Sequence, residues 1–158
     1  MKFISIILIC ACSQISFAQK LDFNLLEKIA SASVRYADSL LKEQKFFLSD
    51  KQTAKNYINY YYTSYDRKDL FEHLLRSLTL MDIYDGPDTS RLVLYRTYYE
   101  NDQEELKKQL LASGFELKQQ VGNSYVYKKD NLTVTNKISE KKIIGGKPKT
   151  TYEFELGN

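Results

Sequence analysis

The 158 residues carry 23 basic and 20 acidic side chains, a net charge of only +3, and the basic ones are mostly lysine. That balance describes a solvated surface, and a nucleic-acid partner, which calls for a strongly basic face, is excluded. Cys10 and Cys12 are the only cysteines, and both fall in a segment expected to be removed, which excludes thiol catalysis, a CxxC redox pair, thiolate zinc and iron–sulfur clusters.

That segment comes first. Lys2 gives a positive start, residues 3–12 are apolar except for Ser5, and Ser16-Phe17-Ala18 places small residues where a signal peptidase cuts. The layout predicts a bacterial secretory signal over 1–18, removed before Gln19, with 19–158 as a single domain in the periplasm or outside the cell. The apolar run is shorter than the roughly 20 residues of a membrane-spanning helix, so no span is expected after processing. Ile9-Cys10-Ala11-Cys12 loosely resembles a lipoprotein box, and its use would instead anchor the chain through Cys12. Without thiols the domain must rest on a packed core, which its length permits.

Leu25, Leu26, Ile29, Ala32, Tyr36, Ala37, Leu40 and Leu41 recur at helical spacing behind Asp22, a suitable cap, which predicts one amphipathic helix over 22–44. Phe46-Phe47-Leu48 is a short apolar run, 49–56 a polar connection, and 57–62 an aromatic, β-prone stretch. Over 67–84 a short helix or extended approach precedes a strand at 77–84, and Asp85-Gly86-Pro87-Asp88 turns the chain. A strand follows at 92–99. Asn101 and Glu104 have capping-box spacing, so a helix is predicted over 101–113, closed by Gly114. Strands are expected at 115–119, 124–129, 131–138 and 150–156; in the last, Tyr152, Phe154 and Leu156 alternate with polar residues. Leu41, Phe46 and Leu48 match Leu110, Phe115 and Leu117 at one constant offset, which suggests two similar halves, although helix-to-strand junctions favour such residues anyway.

The expected fold is α+β: an antiparallel sheet with two main helices packed on one face, built from two similar helix-plus-strands halves. Chemistry is harder to find. His73 is the only histidine, no G-x-S-x-G elbow marks a nucleophile, and a zinc site lacks ligands. Glu153 and Glu155 share a strand face about 7 Å apart, a separation that serves carboxylate hydrolases but also arises on any polar strand. Asp82, Asp85 and Asp88 surround a Gly-Pro turn without matching a calcium loop. No catalytic residue, metal or cofactor is assigned. Asn131-Leu132-Thr133 matches a glycosylation sequon, a short pattern that recurs by chance.

Two surfaces remain as candidate contacts. The chain has 13 tyrosines and no tryptophan, and alternation along the strands must put rings on both sheet faces; Tyr60, Tyr62 and Tyr98 are candidates for an exposed row, if they do not fill cross-strand pairs instead. In the second, Lys141, Lys142 and Lys147 surround Ile143 and Ile144, ahead of and across Gly145-Gly146, in a connection that looks long for a hairpin. The isoleucines either tuck into the core or form an apolar tip with a basic rim. These features point to an exported, non-catalytic binding or accessory protein of the envelope, an inhibitor-like role included, with a protein, peptide or envelope component as partner. The alternative is a secreted carboxylate-dependent hydrolase.

Overall fold

Ser33 interrupts the first helical stretch. Its hydroxyl accepts the amide of Tyr36, and Ala32 before it is extended, so the expected single helix is two: α1 (Phe23–Ser31) and α2 (Val34–Glu43). The apolar spacing runs through the break and hides it from periodicity. A serine cap in extended conformation restarts the helix at its own N-terminus. Asp22 caps α1 as expected, accepting from the Leu25 amide at 2.7 Å. Helices of 9 and 10 residues are marginal alone and are held by the core they join. This computed structural model describes residues 21–64, 76–144 and 146–157, without the side chains of Lys142 and Ile144. The leader and the 65–75 stretch with His73 lie outside the described residues.

The strands are β1 (Phe46–Thr53), β2 (Tyr57–Ser64), β3 (Arg76–Asp85) and β4 (Asp88–Thr97), then, after α3 (Glu100–Ala112), β5 (Glu116–Val121), β6 (Ser124–Lys129), β7 (Leu132–Ile144) and β8 (Lys147–Gly157). They form one eight-stranded sheet in the order β1-β2-β3-β4-β8-β7-β6-β5, with every neighbouring pair antiparallel. The result is a sheet-dominated α+β architecture. The polar stretch 49–56 is not a connection: β1 continues through Thr53 as an edge strand whose residues after Phe46 are all exposed. An edge needs no apolar alternation, so propensity there misleads.

Leu21, Phe23, Leu26, Ile29, Leu41, Leu106 and Leu110 from the helical segments meet Phe46, Tyr62, Leu78, Leu80, Val93, Tyr95, Tyr127, Val134, Phe154 and Leu156 from the strands in one buried cluster. Cross-strand register puts Tyr62, Leu78, Tyr95 and Phe154 in one row, where inward-facing residues of neighbouring strands must lie. Asn136 continues that row beside Phe154. It is fully buried, and neither atom of its amide has a partner among the described residues.

Certain local features recur at the offset that relates Leu41 to Leu110. Lys45 and Gly114 both have positive φ, 59° and 88°, and β1 and β5 carry bulges at Leu48/Asp50 and Leu117/Gln119. At Gly114 the left-handed conformation lets the Phe115 amide reach the Leu110 carbonyl at 3.3 Å and close α3. The predicted capping box does not form: Tyr99 is the N-cap of α3, with no side-chain bond, and the Tyr99 amide donates to Thr97 Oγ1 at 3.1 Å.

The buried tyrosines make the fold sensitive to alkali. Burial foremost, then the nearby Asp38 carboxylate and Tyr60, push the Tyr62 phenol up to about 12, against about 10 in an unfolded chain. The raised folded value means that its contribution is complete below pH about 10 and is lost as pH rises toward 12. Urea midpoints are therefore expected to fall across that window, and more gently in Tyr62→Phe. Parallel pH profiles for the two proteins would contradict this.

Candidate functional site

The connection predicted at 139–149 is instead a two-stranded ribbon. The β6–β7 ladder ends at Lys137 opposite Ser124, with a last bond from the Ile138 amide to the Asn123 carbonyl at 2.9 Å. The β4–β8 ladder ends at Thr97 opposite Tyr152. Beyond these points, among the described residues, β7 and β8 pair only with each other, through Ser139–Thr151, Lys142–Lys149, Ile143–Pro148 and Ile144–Lys147. At about 3.3 Å per residue the ribbon runs on the order of 15–20 Å past its neighbours. Gly146 at φ 76° serves the tight turn, and a bulge between Ser139 and Lys142 adds local twist.

Lysines and Pro148 obscured these strands in the sequence. Proline is tolerated because β8 has no second neighbour there, as on any edge. The legible signal was the Gly145-Gly146 sequence, a glycine pair of the kind that favours hairpin turns. Ile143 is 72 % exposed opposite Pro148, and Pro148, Lys141 and Lys147 are also exposed. The backbones of Lys142 and Ile144 belong to β7, but their side chains lie outside the described residues.

The tyrosines do not assemble into a row. Tyr62 is 1 % exposed and sits in the core, so its expected place at a surface is corrected: it fills a cross-strand position. Tyr60 is half-buried against the core, with Lys51 Nζ 5.2 Å from its ring. Tyr98 is half-buried in the β4–α3 connection. On the other sheet face the Tyr61 hydroxyl accepts from Asn59 and donates to Gln52, each at 3.1 Å; nearby, Asn59 Oδ1 and Thr63 Oγ1 have no partner among the described residues.

The carboxylate candidates are otherwise engaged. Arg96 lies opposite Glu153 in the β4–β8 register and its guanidinium binds Oε1 at 2.7 Å, while Glu155 is exposed. Asp82 pairs with Arg91 at 2.5 Å, and Asp85 and Asp88 face each other across an exposed turn. Among the described residues no cluster of histidine, cysteine or acidic side chains could hold a metal, and no helix is long and apolar enough to cross a membrane.

Two ion pairs, one buried and one part-buried, had no counterpart in the sequence reading. Arg76 makes a two-pronged contact with Asp102 of α3, Nε to Oδ2 at 2.6 Å and Nη2 to Oδ1 at 3.1 Å. Thr97 donates to the same Oδ2 at 2.9 Å, and Arg76 stacks 4.3 Å from the Tyr99 ring centre. Burial lowers the Arg76 guanidinium, but the Asp102 carboxylate outweighs it and holds the group above its ordinary value. Burial, then Asp102, push the Tyr95 phenol well above the usual range. At the other end of the β3–β4 hairpin, Arg91 joins Asp82 to the Ile29 and Ala32 carbonyls at the end of α1. Arg91 also borders a cavity of about 290 Å³ with Glu27, Ala30, Leu132, Leu156 and Gly157, at the small end of the range for ligand pockets. Neither Glu153 nor Glu155 lines it. These pairs hold helices to the sheet, and among the described residues Ile143 on the ribbon is the most exposed large apolar side chain.

No family model, curated protein or solved structure matches this chain.

Proposed function

We propose that this chain is an exported, non-catalytic binding or accessory protein of the bacterial envelope, which engages its partner through the β7–β8 ribbon. The single observation behind this reading is Ile143, 72 % exposed opposite Pro148 on a hairpin that outruns the sheet. An aliphatic side chain held in water at the end of a paired, lysine-rich hairpin gains by burial against something else. The body is a stable platform for it, two similar halves of a helix followed by four strands, with the helices on one side. The mirrored strand order about β4 and β8 and the matched bulges support that division. Hydrolysis by Glu153 and Glu155 is disfavoured because Arg96 already occupies Glu153.

Export rests on the leader pattern at 1–18 and leaves two end states, a free protein beginning at Gln19 or one anchored through Cys12. The test of function is capture. Immobilised protein is expected to retain an envelope component from its native host, and Ile143→Ser to release it with unchanged circular dichroism. Equal capture by both proteins would refute the proposal.

A further inference from the structure

We infer that the ribbon tip docks on an anionic phospholipid surface; this rests on the ribbon being the contact surface and names its partner. Residues 139–149 contain Lys141, Lys142, Lys147 and Lys149 against a single acid, Glu140, with no aromatic residue and no arginine. Protein–protein hot spots are built chiefly from tryptophan, tyrosine and arginine in desolvated pockets, and the ribbon offers none of these. Lysine is a compact point charge on a flexible apolar stem, which suits a diffuse field of lipid phosphates better than a fixed, forked contact.

The geometry agrees with the charge. Ile143 and Pro148 form the cross-strand pair next to the last one before the turn, and both are exposed. The apolar pair is therefore near the far end, where it can enter the boundary between headgroups and acyl chains. Lys141 and Lys149 lie further back, Lys147 at the turn, all able to remain at headgroup level. Basic residues close to a negatively charged leaflet are attracted over about a Debye length. One aliphatic side chain and a few lysines give a reversible, composition-sensitive attachment rather than permanent insertion.

Flotation with vesicles tests this. The full chain is mixed with vesicles of pure phosphatidylcholine or of phosphatidylcholine with phosphatidylglycerol. Wild type, Ile143→Ser and Lys141→Glu share the same N-terminus, so any affinity of the leader for lipid is common to all three. The expected result is flotation with the anionic vesicles, about tenfold weaker in Ile143→Ser, the scale of one buried aliphatic side chain. Lys141→Glu should weaken it severalfold, and about 1 M salt, where fields reach only about 3 Å, should restore the level seen on neutral vesicles. Equal flotation on both vesicle types, or variants matching wild type, would overturn the inference. Should Ile143-dependent capture persist without vesicle binding, the partner is a protein and the lipid inference alone falls; loss of both removes the proposed function as well.

Discussion

Asp102→Ala is expected to destabilise the fold by about 3–5 kcal/mol, the usual cost of stranding one member of a buried ion pair. Arg76 is 5 % exposed, and both prongs of its guanidinium end on Asp102. Removing the carboxylate leaves a desolvated cation and takes away the acceptor of the Thr97 hydroxyl. The pair itself adds little net stability, because desolvation offsets most of the attraction. Replacing both partners, as in Arg76→Met with Asp102→Leu, should therefore recover most of the loss. Urea denaturation of the single and double variants measures the difference. A single variant within about 0.5 kcal/mol of wild type, the range of an ordinary surface change, would show that the network does not hold α3 to the sheet.

The same contacts explain what the sequence concealed. Hydrophobic periodicity located seven of the strands' cores and the second main helix, because those signals are local: Leu92 to Tyr95 is β-prone wherever it sits, and Gly114 ends a helix by its own conformational freedom. Asp102 stands in the first turn of α3, where a carboxylate ordinarily does no more than complement the helix dipole. Its real partner is 26 positions away on β3, a distance that no spacing rule reaches. Asn101 and Glu104 had the spacing of a capping box, yet the Thr97 hydroxyl took the nearby backbone donor. At the ribbon, residue preference gave the wrong state: lysine and proline lower strand propensity, whereas pairing between β7 and β8 propagates outward from a ladder already fixed by its neighbours. Exposure of Ile143 was one of two alternatives the sequence left open, since flanking lysines fit a loop with tucked isoleucines as well as an apolar tip. Tyr62 failed for the converse reason, because aromatic composition does not distinguish the two faces of a strand.

Arg91→Met should have the second large effect, again about 3–5 kcal/mol for the stranded Asp82 carboxylate, but its repair should differ. Asp82 is 5 % exposed, and Arg91 is its ion-pair partner at 2.5 Å. Arg91 also satisfies the end of α1, because its Nη1 donates to the Ile29 and Ala32 carbonyls. Carbonyls at a helix end otherwise need water or a cap. Replacing Asp82 as well, by leucine, removes the buried charge but leaves the Ala32 carbonyl without the guanidinium, while the Ile29 carbonyl keeps the Ala32 amide. Recovery in the double variant should thus fall short by about 1 kcal/mol, the net worth of a hydrogen bond, whereas in the Arg76–Asp102 double variant the shortfall comes from the Thr97 hydroxyl, which loses its acceptor, and not from a helix end. Hydrogen exchange supplies a second readout: amides of α1 should exchange faster in Arg91→Met relative to those of α3, and the reverse should hold in Asp102→Ala. Uniform acceleration of both helices in both variants would mean that the two ion pairs act on the whole fold rather than each on the helix it touches.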